Sequence, residues 1–334
     1  MSYKNISGEK MRKIALLLAM IITFSLSLNA FSLGKLGEFK FEKMNNGVWI
    51  MHGPPMNPAV ENEGFMNNPS FIESKTGTIM IDPGGNYNVG KKILAEYKKV
   101  TNKPVIAILN THKHGDHWFA GKAFKEAFPN LVSYAHPEMI KVSRAGEAQK
   151  WYNILQGLSK NLKGTDGPFP FPTENINGAD ILKIDGQTFK IFHPKRAHTD
   201  TDILIEHVES KTLYLGDNLM KSRLGGMDAS SSVYGNIELL EHIKAHKDGY
   251  IAYNLYVPGH GHSGKMNESI NPFLHYFKTV LKFAKIAYEN DQESYEIKPE
   301  VAKALPEYHN WDEFDRQMGK HLMKAIQEVE ERDM

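Results

Sequence analysis

Cysteine is absent from the 334 residues. Its absence excludes disulfides, thiolate nucleophiles, iron–sulfur clusters and cysteine-ligated zinc together. It also leaves nothing to mispair in an oxidising compartment. A surplus of charge is missing too. Forty Lys and Arg face 39 Asp and Glu for a formal charge of +1, which argues against a protein that holds nucleic acid through bulk charge. No apolar run reaches the ~20 residues of a bilayer span, and no repeat period is visible. Hydrophobic residues at 41% and charged residues at 24% are those of a folded globular chain. The length suits one large domain or two small ones. What is plentiful is histidine, with 15.

The N-terminus reads as a targeting segment. Lys4, Lys10, Arg12 and Lys13 stand against Glu9 alone. An apolar-plus-hydroxyl run follows from Ile14 to Leu28, and then Asn29, Ala30, Phe31 and Ser32 offer small residues for cleavage. Positive end, short greasy core and small-residue exit describe a secretory signal peptide over residues 1–32. Met11 offers a second start, because Met11-Arg12-Lys13 before the run is a complete positive region. The mature protein is then expected to begin near Leu33, in the periplasm or outside the cell, with no stable membrane insertion after cleavage.

Along the mature chain, strands are predicted at Val48–His52, Ser70–Glu73, Thr78–Asp82, Pro104–Leu109, Leu131–Ala135, Thr188–Phe192, Ile203–His207, Thr212–Leu215 and Ile251–Val257. Helices are predicted at Val89–Val100, Ala120–Phe128, Pro137–Leu162, Ile237–His246, Asn271–Tyr288 and Trp311–Glu331. Strands cluster, with helices after some clusters only. The pattern is neither strict βαβ alternation nor all-β. It fits an α/β fold of two mixed sheets packed face to face with helices outside. The domain then covers residues 33–334, with a core at about 48–262 and a C-terminal helical extension at 265–334.

The informative stretch is Thr111-His112-Lys113-His114-Gly115-Asp116-His117, which leaves an aliphatic strand. Alternation puts His112, His114 and Asp116 on one side of an extended segment, and His117 follows where the chain turns into a helix. Four potential ligands within six residues make a compact site for a borderline metal. Three more candidates sit beside strand ends: His198 before Ile203, Asp217 after Leu215, and His260 after Val257. Glycines next to Asp217 and His260 let backbone approach closely.

In order and context, this set resembles the metallo-β-lactamase-fold hydrolases. Asp82, in Ile81-Asp82-Pro83-Gly84, matches the family's first short motif. The resemblance implies an αβ/βα four-layer sandwich and two metals per chain, most often zinc, with iron or manganese as alternatives. Carried over residue by residue, it implies His112, His114 and His198 around the first metal. Asp116, His117 and His260 would surround the second, with Asp217 bridging. A metal-bound hydroxide would be the nucleophile, and Asp116 would orient it or take its proton as the catalytic carboxylate. In the broad-spectrum lactamases the place of Asp217 carries cysteine. The aspartate weakens a β-lactamase assignment and points to thioester, lactone or other ester substrates.

Asn68-Pro69-Ser70, Ala197-His198-Thr199-Asp200-Thr201-Asp202 and the Trp-led last helix further resemble the periplasmic group linked to sulfur oxidation and quinoprotein relay systems. An iron-dependent redox enzyme and a non-catalytic carrier-binding protein are the competing classes. The partner expected is a small-molecule substrate. Asp82 is expected to orient a metal-bound histidine or to cap its turn. Asp200 and Asp202 are expected to fix the His198 loop. Lys221 and Arg223 are candidates to hold a substrate anion, unless they form an ordinary solvated pair. Trp118 is a candidate cleft wall or core residue. Gly53–Asn68 is expected as a lid, and Ser143–Gly178 as a second wall.

Overall fold

The computed structural model describes residues 38–334; the expected leader lies outside the described residues. Lys40–Met334 forms one compact unit. Its first sheet has seven strands: β1 (Glu42–Lys43), β2 (Val48–Ile50), β3 (Ser70–Glu73), β4 (Thr78–Ile81), β5 (Val105–Leu109), β6 (Val132–Ala135) and β7 (Glu174–Asn175). They lie side by side in chain order, antiparallel as far as β4 and parallel from β4 to β7. The second sheet contains β8 (Ile181–Ile184), β9 (Gln187–Phe192), β10 (Leu204–His207), β11 (Thr212–Tyr214) and β12 (Leu255–Val257). It is antiparallel except for the β11–β12 pair.

Alternation along the strands builds the core. Val48, Ile50, Ile72, Ile79, Ile81, Ala107 and Leu109 from the first sheet meet Phe189, Ile191, Ile205, Tyr214 and Val257 from the second in one buried cluster. The sheets therefore face each other, as the strand clustering predicts. Their outer faces are covered by helices. On the first sheet these include α1 (Tyr87–Val100), the short α2 (Gly115–Trp118) and α3 (Gly121–Ala127). On the second, α6 (Val233–Lys244), α7 (Ile270–Glu289), α8 (Ser294–Ala304) and α9 (Phe314–Asp333) share one apolar cluster with Leu204 and Leu213. Among the described residues, no helix is long and apolar enough to cross a membrane.

Two expected elements differ in detail, and β8 is an addition to them. The helix predicted over Pro137–Leu162 is split into α4 (Pro137–Val142), a π-turn at Ser143–Glu147 and α5 (Ala148–Ser159). The break is at Gly146, whose φ of 127° no helix accommodates. The strand predicted from Ile251 starts only at Leu255, where pairing with the three residues of β11 begins. The sequence reading passed over β8, although Asp185-Gly186 between two β stretches is a two-residue hairpin signal. Both residues adopt positive φ, at 46° and 86°.

The C-terminal extension is fastened to the rest by polar contacts as well as by packing. Glu328, buried on α9, accepts from the backbone amides of Val233 and Tyr234 at 3.0 and 3.2 Å and from Ser232 Oγ at 3.2 Å. One carboxylate thereby satisfies the open amides at the start of α6 and complements its dipole. Glu328→Ala should cost about 2 kcal/mol, a fall in Tm of roughly 3 °C for a domain of this size. Glu328→Gln, which keeps an acceptor, should recover part of it; calorimetry on the three proteins checks this.

Candidate metal centre

The segments that follow or precede the strands at one end of the two sheets carry Asp82 and the seven candidate ligands. The chain leaves β4 at Asp82, which adopts a left-handed φ of 47°. Asp tolerates that region better than most residues, and here the bend is held by hydrogen bonds. Asp82 Oδ1 accepts from the Thr111 amide at 2.9 Å, and Oδ2 accepts from Thr111 Oγ1 at 2.6 Å and from His117 Nδ1 at 2.8 Å. One buried carboxylate thus ties the ends of β4 and β5 to the histidine that opens α2.

These contacts decide where the imidazole lone pairs point. His117 donates from Nδ1 to Asp82, so Nε2 is the atom left to offer a lone pair once the ring is neutral. The Thr111 hydroxyl spends its proton on Asp82 and therefore accepts from His112 Nδ1 at 3.0 Å. His260 Nδ1 meets the Met66 carbonyl at 2.8 Å and must donate there. All three Nε2 atoms are consequently turned into one buried space; His112 Nε2 has no hydrogen-bond partner there, while His117 and His260 can offer a lone pair only after losing a proton. His114 Nδ1 and His198 Nε2 face each other at 3.1 Å, and the His198 backbone is anchored by Asn218 Oδ1 at 3.0 Å.

Asp217 lies between the two halves. Its Oδ1 is 3.0 Å from His117 Nε2 and 3.2 Å from His260 Nε2. Its Oδ2 is 3.5 Å from His198 Nε2 and 3.9 Å from His112 Nε2. Asp116 Oδ2 completes the His117–His260 side at 3.4 and 3.3 Å. Two sets result, His112, His114, His198 and Asp217, and Asp116, His117 and His260, each with ligand atoms within 4.8 Å of one another. All seven are buried.

Their chemistry suits divalent cations. His112 Nε2 and Asp116 Oδ1 are buried atoms with no hydrogen-bond partner, an arrangement that costs free energy unless a cation completes it. Backbone makes room for the carboxylate: a Cβ on Gly259 would stand 2.0 Å from Asp217 Oδ1. Electrostatics divides the histidines. Burial first, then the neighbouring imidazoles, push His112 and His114 well below the ordinary histidine range, so both are neutral donors of lone pairs. Burial acts in the same sense on His117, but Asp217, Asp116 and Asp82 outweigh it and hold His117 well above that range. His117 and His260 in turn overcome the burial penalty on Asp116 and keep its carboxyl near 2.

The residues proposed around the pocket separate. Arg223 is there: it is buried, lines a cavity of about 220 Å³ with His114, Asp116, His198, Asp217 and His260, and approaches His260 Nδ1 at 3.5 Å. Lys221 is not. It borders a different cleft, beside Trp311 and Tyr308, because Ser222 between them has a positive φ of 63° that breaks strand alternation. Trp118 is a core residue: it is 1% exposed, packs on Phe119 and Phe171, and donates from Nε1 to the Lys113 carbonyl at 3.1 Å.

The aromatic at the pocket is Trp151 of α5, 4.4 Å from the His114 ring. Sequence reasoning missed it, along with Met66, Glu147, Ile154 and Met227. The available signal was the placement of Met66 and Trp151 in the two segments expected as lid and wall. Asp202 does fix the His198 loop, accepting from the Thr199 amide at 2.7 Å. Asp200 instead pairs with Lys113 Nζ at 3.1 Å.

The model of the metallo-beta-lactamase superfamily matches residues 62–262. The chain belongs to that superfamily. A probable metallo-hydrolase of Streptococcus pyogenes is 24% identical over 220 residues, covering 62% of this chain and 85% of the relative. A hydroxyacylglutathione hydrolase of Francisella tularensis is 25% identical across 51% of this chain and 54% of its own length. A linear primary-alkylsulfatase of Pseudomonas is 43% identical, but over 54 residues that make up only 10% of it. The chain thus spans about half, or a tenth, of the length of two of these curated relatives. Among solved structures, a sec-alkyl sulfatase variant superposes on 87% of this chain and 50% of its own, with a TM-score of 0.67 at 12% identity. The metallo-beta-lactamase from Pontibacter korlensis superposes on 72% of this chain and 99% of its own, with a TM-score of 0.56 at 15% identity. The fold is the two-sheet sandwich of this hydrolase superfamily, and its His/Asp clusters have the form of a dinuclear metal site.

Because His117 is held above the ordinary histidine range, it carries a proton at pH 7 that a metal must expel. Metal uptake should therefore release protons and tighten as pH rises from 6 to 8. Titration calorimetry in buffers of different ionisation enthalpy reads this directly; uptake without proton release would contradict the charge assignment.

Proposed function

We propose that this chain is an exported dinuclear zinc hydrolase that opens an ester, thioester, lactone or lactam-type bond. The observation that carries the reading is the division of the Asp217 carboxylate, with one oxygen towards His117 and His260 and the other towards His198 and His112. A carboxylate shared in this way would offer one oxygen to each of two cations and so favour their binding together. His112, His114 and His198 would hold one ion, and Asp116, His117 and His260 the other. Bound zinc would supply the charge that acidifies a water and polarises the oxygen of the scissile group.

The protein's own groups do the rest. Asp82 keeps the His117 lone pair aimed inward, the kind of support whose loss weakens metal binding by roughly 10–100-fold. Asp116 Oδ1, buried and unpaired, is positioned to orient the attacking water and to accept its proton. The pocket mouth, bounded by Trp151, Met66 and Met227, limits water around the reacting bond. The likeness to a hydroxyacylglutathione hydrolase and to an alkylsulfatase supports ester-like and thioester substrates, as does aspartate rather than cysteine at position 217.

Zinc at about two ions per chain is the expected metal content of the purified protein. Asp217→Asn keeps the shape and removes the charge between the ions. It should weaken binding of the second zinc, move the plateau of the pH–rate profile upward, and lower turnover by a factor on the order of 100, the scale of a lost electrostatic group. An unchanged profile with unchanged stoichiometry would reduce Asp217 to a turn residue. Export is tested separately: protein from a secreting host should show a mature N-terminus near Phe31 or Leu33 by mass spectrometry, and a full-length membrane-embedded product would refute it.

A further inference from the structure

Helix α5 is amphipathic in an unusual sense. Its inner face is ordinary core, with Ala148 and Leu155 buried against Trp118, Phe119 and Leu162. A second apolar line faces outward. At 100° per residue, Trp151, Ile154 and Leu158 fall within an arc of about 60°. Ile154 is 39% exposed and Leu158 48% exposed. Isolated exposed aliphatics need no explanation, but these two stand one turn apart and continue directly from the candidate site. Trp151 lies against His114, and both Trp151 and Ile154 line the cavity that contains the metal-ligating side chains. From Trp151 to Leu158 the stripe runs roughly 10 Å along the helix.

The far end of the stripe meets the lid. Asn161 Nδ2 donates to the Glu63 carbonyl at 3.1 Å, and a Cβ at Gly64 would stand 3.1 Å from Ser159 Cβ. The near end is framed by Met66 and Met227, flexible side chains that conform to an apolar guest, and by the Glu147–Lys150 ion pair, which stands beside the head rather than the tail of the stripe. An apolar track thus begins at the metal-ligating groups and leads outward along one helix face.

We propose that this track is the binding surface for the hydrocarbon tail of the substrate, so that the compound hydrolysed is an amphiphile with a linear alkyl or acyl chain of about eight carbons or more. The proposal rests on the hydrolase reading for the position of the scissile head, and on Trp151, Ile154 and Leu158 for the tail. The tail lies flat on the stripe with one side towards solvent, so each methylene gains less than full burial. The dependence on chain length should then be about two- to fourfold per methylene, given ~0.8 kcal/mol for complete burial, and should level off once the chain passes Leu158.

The test reads binding apart from turnover. The zinc-loaded full-length protein is titrated with linear alkanoates from butanoate to dodecanoate, all below their micelle concentrations, and binding is followed by calorimetry. The same series is run on Leu158→Gln and Ile154→Gln, with circular dichroism and metal content as controls on folding. p-Nitrophenyl esters of the same acids are assayed in parallel. Affinity should climb about two- to fourfold per methylene up to roughly eight to ten carbons, and both variants should flatten the climb for the longer members. Equal affinity along the series, or a climb that the two variants leave intact, overturns the proposal. Sedimentation with phosphatidylcholine vesicles through the same residues, without chain-length dependence for monomeric ligands, would also overturn it and assign the stripe to a lipid surface. The two readings fail differently. Loss of the hydrolase reading alone leaves chain-length-dependent binding without ester turnover. Loss of the tail proposal alone leaves turnover of short esters with no dependence on length.

Discussion

Three carboxylates, Asp82, Asp116 and Asp217, share one buried pocket with five imidazoles and the guanidinium of Arg223, and the rest of the molecule is arranged around balancing that charge. Ionised carboxylates in a dry interior are costly unless positive charge stands beside them. In the metal-free chain that charge resides on His117, on His260, which Asp217 raises against the pull of burial and of Arg223, and on Arg223 itself. His112 and His114, further from the negative charge, are left neutral. The site is therefore asymmetric before any cation arrives. One set of ligands is free of protons, and the other must give protons up. The Asp82–Thr111 and Asp82–His117 contacts keep this arrangement from collapsing on itself, because each fixes a ring nitrogen that would otherwise turn to neutralise a neighbour.

The His/Asp cluster was legible in the sequence because its physics is local. His112, His114, Asp116 and His117 follow a buried strand within six residues, and His198, Asp217 and His260 adjoin strands whose aliphatic runs are plain. The two-sheet core was legible for a related reason: β4 and β5 are short aliphatic runs buried on both faces, and β9 alternates between buried and half-buried residues. The surroundings of the site were not legible. Apolar periodicity marks helix faces that avoid water, but it does not say whether a face meets core or pocket. Trp118 and Trp151 are equally apolar, and only the third dimension puts the first behind the loops and the second against His114. Lys221 and Arg223 have the spacing of side chains on one face of a strand. The left-handed Ser222 between them turns Arg223 into the pocket and Lys221 into another cleft. A single backbone dihedral of that kind leaves no mark in composition.

The C-terminal helices look remote from the chemistry in the sequence, yet hydrogen bonds carry them into it. The Asp312 carbonyl accepts from the Leu224 amide at 3.0 Å, the Asp312 amide donates to the Ser222 carbonyl at 3.0 Å, and its carboxylate accepts from the Asn57 amide of the lid at 2.8 Å. Arg223 closes the circle by donating to Asn57 Oδ1 at 2.9 Å and to the Met56 carbonyl at 3.2 Å. On α9, His321 donates from Nε2 to the Gly225 carbonyl at 2.8 Å while Nδ1 accepts from the Tyr276 hydroxyl at 2.8 Å. Burial lowers His321 to about 4, so this bridge stays neutral and directional across the physiological range. The segment Ser222–Gly226 forms one wall of the pocket and the lid another. Both are held by the extension as well as by the loops of the two-sheet core, to which Asn67 Nδ2 donates at the Asp82 carbonyl at 2.9 Å. A loop wall fixed only at its own ends would sample many conformations and lose rate through misplacement. Fastening it to helices that pack on the second sheet transfers the rigidity of that apolar cluster to the site, and so the extension belongs to the binding apparatus as much as the strands that carry the histidines.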